Sequence, residues 1–398
     1  MGLVTPIGSG PQAFWDALLR GDSGAARVRS FDTSKLDHHI GCEVDDFSLE
    51  PRVRAALLGG RCTRLAAAAV VQAVRDAGLD RDLGPGTPTA VVVGTTMGEV
   101  TRFERDRAQH ADSEPGPHDV RSLVHRPLDV VGRSIARIWE LRGPVLTVPA
   151  ACAAGAYAIG VAASLIASGR VPVALAVGCE AFSRLAFVGF ARMRAMSRDV
   201  CRPFSRDRPG LLLGEGAGAL VLESAESVER RGRRPWGYVD GFGLSCDAYH
   251  VTGPHPAGEG AARAMRDALA RAGVEPERVD YVNAHGTGTP LNDRTESLAV
   301  RSVFGERRLP VSSIKALTGH MMGAAGSVEA IASLLAIRHG LVPPTWNWVE
   351  ADPECDLDCV PNRPRAAALE RVLSNSYAFG GNNASLLLTA AGASPAGA

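Results

Sequence analysis

Three turns rich in glycine and alanine carry side chains that could act together in covalent chemistry. Cys152 lies in "PAACAAGA", His285 lies in "NAHGTGTP", and Lys315 and His320 share "SIKALTGHMMGAAG". A cysteine is a nucleophile that forms thioesters, and imidazoles can transfer protons or stabilise developing negative charge. A cysteine, two histidines and a lysine therefore form a set suited to acyl transfer through a thioester.

The cysteine has the local context of a reactive thiol. Cys152 precedes an Ala-rich segment predicted to be helical, and the positive end of a helix dipole stabilises a thiolate. We therefore expect the pKa of this thiol to be lowered. Taken singly, each residue has a plainer explanation, because free cysteines are commonly buried and inert and a histidine on a turn is commonly a surface residue.

The lysine is unusual for this composition. The chain has 43 lysine and arginine residues, and only Lys35 and Lys315 are lysines. An ammonium group is a compact point charge, whereas a guanidinium group is broad and planar. A lysine at 315 in a chain that otherwise uses arginine therefore makes Lys315 a candidate for a specific role.

Two further segments could bind a substrate. Thr287 and Thr289 alternate with glycines, so both hydroxyls could face a polar chain that lies close to the backbone. The segment "SNSYAFGGNN" has backbone N–H groups that could help form an oxyanion hole, with Phe379 as a movable hydrophobic gate. The plainer explanation of this segment is a turn before the last strand.

Composition argues against several classes of function. The chain has 398 residues, 45% hydrophobic content and no net charge, so nothing indicates nucleic-acid binding or a polybasic membrane anchor. Its eight cysteines include no CxxC pair and no tight Cys/His cluster, so we expect no metal site, no disulfide framework and a reducing cytoplasm. The start "MGLVTPIGSG" lacks the features of a signal peptide. The uncharged stretch 143–169 contains two prolines and few large aliphatic residues, which favours a buried helix over a membrane span.

Short apolar segments typical of buried strands alternate with Ala-rich helical segments, which predicts an α/β fold. The strand candidates are 89–94, 172–178, 218–223, 279–284 and 385–390. The Pro/Gly-rich segment 111–118 is predicted to be a surface loop.

The sequence also repeats a pattern of helix, strand and Gly-rich turn. Two segments of the first part have counterparts in the second: 65–79 with 260–274, and 149–170 with 319–340. This order predicts a duplicated βα unit with halves 1–230 and 231–398. Corresponding loops of such halves can meet at one site, which would bring Cys152 to Lys315 and His320.

With these residues in place, the chain resembles the β-ketoacyl-acyl-carrier-protein synthases, the condensing enzymes of fatty-acid and polyketide synthesis. More narrowly, it is similar to the elongating, FabF-like branch. The resemblance extends from residue 1 to about residue 390, on the motifs "CAAGA", "CRPFSRDRPGLLLGEGAGALVLE", "CDAYHVTGP", "NAHGTGTPLND", "SSIKALTGHMMGAAG" and "SNSYAFGGNN". It implies a thiolase-like fold, with duplicated βα halves in a layered αβαβα arrangement.

The resemblance implies a role for each residue of the site. Cys152 would carry the acyl chain as a thioester. His285 and His320, as neutral imidazoles donating through Nε2, would bind the malonyl thioester carbonyl and stabilise the enolate formed when carbon dioxide leaves. The backbone N–H groups of Cys152 and Phe379 would hold the oxyanion formed when that enolate attacks.

Other positions match supporting roles in the same family. Lys315 would fix His320 and add a positive field, with Glu329 as its acidic partner. Thr287 and Thr289 match positions that contact a phosphopantetheine arm.

The resemblance also implies an acyl carrier protein as partner, with substrates carried on its phosphopantetheine and no other cofactor. Exposed arginines near the entrance would dock this carrier, and Arg61, Arg64 and Arg194 are candidates by position. Met97 stands where relatives line the acyl pocket. The family implies a homodimer, and a heterodimer with a related subunit is an alternative.

The chain departs from the family pattern in three places. The family's first strand ends in V-T-G ahead of "MGLVTPIG", so we expect either a start upstream of Met1 or an unpaired edge in the first sheet. Ala150 stands where threonine is common. The gate at 377–379 reads Tyr-Ala-Phe in place of Phe-Gly-Phe, and Asn382 stands in place of threonine. The alanine narrows the backbone freedom of the gate, and these changes favour a polyketide or polyene pathway over housekeeping fatty-acid synthesis.

Three alternatives remain open at this point. A coenzyme A-dependent thiolase or priming synthase shares the fold, but the priming branch pairs cysteine with histidine and asparagine, whereas this chain has His285 and "KALTGH". A non-catalytic chain-length partner of a heterodimer typically lacks the nucleophile that Cys152 supplies. A Cys–His thioester hydrolase would need no malonyl substrate.

Overall fold

The computed structural model describes residues 1–45, 47–109 and 128–393, and the surface loop predicted at 111–118 lies outside this part of the chain. The helices of the described part are α1 Pro11–Arg20, α2 Pro51–Ala56, α3 Arg61–Asp76, α4 Val100–Gln109, α5 Val130–Ile138, α6 Ala154–Ala167, α7 Arg184–Arg192, α8 Ala225–Arg230, α9 Glu259–Ala272, α10 Pro290–Phe304, α11 Lys315–Thr318 and α12 Ala325–His339. Single 3₁₀ turns cover Ala151–Ala153, Pro276–Arg278, Met322–Ala324, Pro353–Cys355 and Phe379–Gly381.

The strands are β1 Gly2–Thr5, β2 Gly8–Ser9, β3 Ala26–Arg27, β4 Ile40–Gly41, β5 Thr89–Gly94, β6 Val145–Val148, β7 Val173–Glu180, β8 Gly216–Glu223, β9 Gly237–Cys246, β10 Tyr281–Asn283, β11 Val311–Ser312, β12 Leu341–Val342, β13 Arg365–Ala366, β14 Arg371–Tyr377 and β15 Asn382–Ala390. The five strand candidates of the sequence correspond to β5, β7, β8, β10 and β15. These predictions are confirmed because each segment is a short apolar run that forms a strand, and β5 and β7 are buried along their whole length.

Two mixed sheets with the same topology form the frame of the molecule. Their strand orders are β2-β1-β8-β7-β5-β6 and β11-β10-β14-β15-β9. In the first sheet β6, β5 and β7 are parallel, while β8 and β1 follow antiparallel. In the second sheet β11, β10 and β14 are parallel, while β15 and β9 follow antiparallel. The predicted duplication is therefore confirmed.

Helices and sheets alternate in five layers. Helix α3 packs on β1, β7 and β8, at the outer face of the first sheet. Helices α6 and α12 contact strands of both sheets and form the central layer, whereas α9 covers β9 and β15 and is itself flanked by α10. The predicted αβαβα arrangement is confirmed.

The central helices can occupy this layer because they are apolar or small on all sides. Every residue of α12 from Ala325 to Ala336 is buried. A Cβ atom at Gly155 of α6 would lie 2.8 Å from the carbonyl oxygen of Gly323, so glycine permits the two halves to touch there. The uncharged stretch 143–169 forms β6, the Cys152 turn and α6. Within the described residues, no helix combines the length and apolar character needed to cross a membrane.

The first sheet has a short edge strand. Residues 2–4 of β1 pair with residues 217–219 of β8, whereas the equivalent strand β9 pairs along the whole of β15. In the described part of the chain, residues 220–223 therefore have no strand partner on this side, and a cavity of about 800 Å³ runs along them.

Each predicted half contains one sheet. The strands of the first sheet lie between Gly2 and Glu223, and those of the second lie between Gly237 and Ala390. The division into separate domains 1–230 and 231–398 stays a prediction. Residues of α6 and α12 share one core with strands of both sheets.

Candidate active site

The ends of parallel strands bring the predicted residues together. Cys152 follows β6, His285 follows β10, and Lys315 and His320 follow β11, the strand adjacent to β10. Cys152 lies in the 3₁₀ turn immediately before α6, which is the helix start that the sequence predicts. The residue before it, Ala151, has a φ of 48°, a left-handed conformation that is costly for alanine and typical of functional turns.

The two histidines face each other. The ring centroids of His285 and His320 are 5.4 Å apart with an angle of 88° between the rings, and both side chains are buried. Burial, with the nearby ammonium of Lys315 as the next cause, lowers the pKa of both imidazoles well below 6.5. Both rings are therefore neutral at pH 7, so they can donate hydrogen bonds without carrying a charge.

Lys315 is held in the interior behind this pair. Its ammonium nitrogen donates to the carbonyl oxygen of His285 at 2.6 Å and forms a buried ion pair with Glu329 of α12. The expectation that Lys315 fixes His320 needs correction, because its direct contact is to the backbone that carries His285. It acts on His320 through its charge. Burial raises the pKa of Glu329 to about 7, and the ammonium opposes this rise.

The thiol of Cys152 does not have the lowered pKa that its helix-start position suggests. Burial, followed by the charge of Glu180, raises its pKa to about 12. The charge of Lys315 and hydrogen bonds from the backbone N–H groups of Phe379 and Cys152 oppose this rise. The expectation was wrong because desolvation of a fully buried thiolate outweighs the helix dipole. The same two N–H groups are those expected to hold an oxyanion.

Phe379 begins the 3₁₀ turn between β14 and β15 of the second sheet. Its ring stacks on Phe190 with centroids 5.5 Å apart, and Phe190 meets His320 edge-on at 6.3 Å. The next residue, Gly380, has a φ of 82°, which glycine adopts without strain. Ala378 is extended, with φ −140° and ψ 154°, so its methyl group fits this conformation of the gate.

The predicted substrate-binding residues lie in two places, the turn after His285 and the apolar cluster that includes Phe379. The hydroxyls of Thr287 and Thr289 lie 2.9 Å apart and hydrogen-bond to each other. The half-buried Met97 packs in one apolar cluster with Phe190 and Phe379. Their expected roles toward a substrate stay predictions.

The three arginines proposed for carrier docking have different environments. Arg61 donates to both carboxylate oxygens of the buried Glu215, at 2.6 and 2.8 Å, so its guanidinium is bound within the fold. Arg64 is exposed and lies 5.5 Å from the centroid of the Phe47 ring. Arg194 is exposed just after α7. The geometry favours a structural role for Arg61, and docking by the other two stays a prediction.

Sequence reasoning missed two buried glutamates that support the site. Glu296 of α10 accepts hydrogen bonds from the backbone N–H groups of His285 and Gly286, at 2.8 and 2.7 Å. Glu180 accepts backbone hydrogen bonds from the loop that carries Met97. An acidic residue at the end of the apolar run "VALAVGCE" is the signal that could have indicated Glu180.

Comparisons with known proteins match almost the whole chain to one family of enzymes. Two family models match: "Beta-ketoacyl synthase, N-terminal domain" over residues 1–227 and "Beta-ketoacyl synthase, C-terminal domain" over residues 236–349. The "3-oxoacyl-[acyl-carrier-protein] synthase 2" of Staphylococcus aureus (strain COL) is 38% identical over 400 residues, which cover 97% of this chain and 96% of the relative.

Solved structures of ketosynthases are also similar to this chain along almost its whole length. "The ishigamide ketosynthase/chain length factor" superimposes with a TM-score of 0.89 and 42% identity, covering 98% of this chain and 97% of the other. A type II PKS acyl-carrier protein in complex with its ketosynthase, AntDE:AntF, contains a chain with a TM-score of 0.87 and 28% identity, covering 98% and 97%.

Proposed function

This chain belongs to the beta-ketoacyl synthase family, and on that premise we propose that it performs decarboxylative Claisen condensation. An acyl chain held as a thioester on Cys152 would react with malonyl-acyl carrier protein to give 3-oxoacyl-acyl carrier protein. The observation that carries this proposal is one buried site that holds two neutral imidazoles, His285 and His320. The thiol of Cys152 adjoins it, because it accepts from the N–H of Phe379 and feels the charge of Lys315.

The first step is transfer of the acyl chain. The sulfur of Cys152 attacks the acyl thioester, the phosphopantetheine thiolate leaves, and the proton of the Cys152 thiol moves to the departing sulfur. Burial raises the pKa of this thiol, which favours loss of its proton during the attack. Thr287 and Thr289 would contact the phosphopantetheine arm.

The second step is loss of carbon dioxide from the malonyl unit. The thioester carbonyl oxygen accepts hydrogen bonds from His285 and His320, and the electrons of the breaking carbon–carbon bond move into an enolate. Neutral donors aimed at this oxygen stabilise the charge that develops there. Lys315 adds a positive field and holds the His285 backbone in place.

The third step forms the new carbon–carbon bond. The enolate carbon attacks the acyl thioester on Cys152, and the backbone N–H groups of Cys152 and Phe379 stabilise the resulting oxyanion. The intermediate collapses to the 3-oxoacyl product, and the Cys152 thiolate leaves and takes up a proton from solvent, which replaces the one not supplied by the malonyl carboxylate. These steps use only groups of this chain and two thioester substrates, so the proposal includes no further cofactor.

The proposal includes a carrier protein and a dimeric assembly. The solved complex of a type II PKS ketosynthase with its acyl-carrier protein supports the first. Similarity to a ketosynthase/chain length factor supports a heterodimer with a related subunit and a polyketide or polyene pathway. A homodimer is the other arrangement. We assign this chain the catalytic part, because it carries Cys152. All eight cysteines are free thiols, which supports a cytoplasmic location.

Intact-protein mass spectrometry after incubation with acyl-acyl carrier protein tests the assignment. The wild type should gain one acyl group, and Cys152→Ala should gain none while still decarboxylating malonyl-acyl carrier protein. Cys246→Ala is the matched control, because Cys246 is exposed and should not carry the acyl group. If the wild type gained no acyl group, the assignment would be wrong.

A further inference from the structure

A buried carboxylate near Cys152 joins two loops of the fold. Glu180 is the last residue of β7 and is fully buried. One carboxylate oxygen accepts hydrogen bonds from the N–H groups of Thr96 and Gly323, at 2.7 and 3.2 Å, and the other accepts from the N–H of Met97 at 3.0 Å. We call residues 95–97 the acyl-pocket loop and residues 319–324 the His320 loop.

The two loops lie in direct contact at this carboxylate. A Cβ atom at Gly323 would lie 2.7 Å from Cα of Thr95 and 2.8 Å from the nearer carboxylate oxygen of Glu180. There is therefore no space for another side chain to bridge them. Across the described ranges, no cation lies within ion-pair distance of Glu180, so only the N–H groups and the Thr95 hydroxyl compensate its charge.

The carboxylate also acts on the nucleophile. Its charge is the second cause, after burial, of the raised pKa of the Cys152 thiol, and Lys315 acts in the opposite direction. The other thiol that faces it is Cys62, whose pKa it also raises. Burial raises the pKa of Glu180 itself to about 7, against the hydrogen bonds that it accepts. Its charge is therefore present at pH 8 and above.

We propose that Glu180 is a positioning residue: it holds the acyl-pocket loop against the His320 loop and places a negative charge near the thiol of Cys152. The inference rests on the proposed function, because it treats Cys152 as the acyl acceptor. It has a readout that does not depend on that function, which is the rate at which iodoacetamide alkylates Cys152.

Two substitutions separate the two parts of the role. Glu180→Gln removes the charge. The amide nitrogen of the glutamine is a hydrogen-bond donor, so one of the two loops meets a donor where it needs an acceptor. We expect alkylation of Cys152 at pH 8.5 to become about three- to tenfold faster, because the thiol loses a neighbouring negative charge. Condensation should fall about tenfold, because one loop loses its acceptor. Glu180→Asp keeps the charge but is too short to reach both loops, so condensation should fall while alkylation is unchanged.

In Glu180→Gln, faster alkylation of Cys152 together with slower condensation distinguishes this role from a purely structural one. A purely structural role would change the alkylation rate and the condensation rate in the same direction. Peptide mass spectrometry assigns the alkylated cysteine. The matched control is Glu223→Gln, a glutamate that ends β8 at the far end of the sheet and pairs with Arg231. It should leave both rates unchanged.

The inference would be overturned if wild type and Glu180→Gln were alkylated at the same rate. It would also be overturned if Glu180→Asp accelerated alkylation as much as Glu180→Gln does, because the cause would then be easier access to Cys152 and not the lost charge. If the wild type formed no acyl-Cys152, the proposed function would fail, and the alkylation rates would still decide the role of Glu180.

Discussion

Replacing Lys315 by methionine tests how a buried charge supports this site. The ammonium is 1% exposed, donates to the carbonyl oxygen of His285 at 2.6 Å and pairs with Glu329. Methionine has a similar length and volume but no charge. The substitution therefore removes the electrostatic contribution with little change in packing.

The structure sets the expected loss of stability. Removing one partner of a buried ion pair costs about 3–5 kcal/mol. Because Glu329 has a pKa of about 7 even beside the ammonium, it can become neutral in Lys315→Met, so we expect a value near the lower limit. The folded variant binds a proton at Glu329 that the unfolded chain releases, so its stability should fall as pH rises from 6 to 8. Lys315→Met/Glu329→Gln should recover most of the loss, because no unpaired buried charge remains.

The condensation rate of Lys315→Met should not follow its stability. A hydrogen bond from a charged donor contributes about 1.5–3 kcal/mol, and losing it at the His285 backbone corresponds to roughly a 10- to 150-fold slower condensation. The double variant lacks the same bond, so its condensation should stay slow although its stability recovers.

Urea unfolding at pH 6 and pH 8, with condensation followed by product mass, measures both effects. Lys35→Met is the matched control, because Lys35 is the other lysine of the chain and is exposed. The reasoning is refuted if Lys315→Met condenses at the wild-type rate, or if Glu329→Gln fails to restore its stability.

Three further predictions follow from the same contacts. Lys315→Arg should fold but lose condensation at least about tenfold, because a planar guanidinium does not fit a site packed around a point charge; a normal rate by product mass would contradict this. Gly323→Ala should lower stability by about 1–3 kcal/mol, because its Cβ would lie 2.7 Å from Cα of Thr95; an unchanged thermal unfolding midpoint would contradict it. The rate of malonyl decarboxylation should show no inflection near pH 6.5, because the pKa values of His285 and His320 are well below 6.5. Both histidines have higher pKa values when unfolded, so protonation in the unfolded chain makes their contribution to stability fall as pH drops below about 6.5. The buried carboxyls of Glu180 and Glu329, whose pKa values are raised to about 7, contribute in the opposite direction. A halved decarboxylation rate at pH 6.5 in folded enzyme would refute the assignment.

Much of the fold could be predicted because its signals are local. The run "TAVVVG" becomes β5, a strand buried on both faces, and a continuous apolar run is the pattern of such a strand. The resemblance of 65–79 to 260–274 corresponds to α3 and α9, which cover equivalent faces of the two sheets. A duplicated unit repeats its pattern of strands and helices wherever it folds, so the duplication is visible in sequence.

The contacts inside the site could not be predicted in the same way. Lys315 was expected to fix His320, but it reaches the carbonyl of His285, which lies 30 residues away in the chain. Arg61 was expected to meet a carrier, but it binds Glu215, 154 residues away. Such pairings depend on how strands from distant segments are ordered in a sheet, and no local pattern specifies that order.

The sequence by itself indicated Cys152, His285, Lys315 and His320 as candidates and the kind of chemistry that they suit, because residue types and the turns that carry them are local properties. Tertiary structure alone decided their electrostatic state. The helix-start position of Cys152 suggests a lowered pKa, yet burial and Glu180 raise it to about 12. The pKa of a side chain depends on the water excluded around it and on charges from distant segments, and both are set only when the two halves pack together.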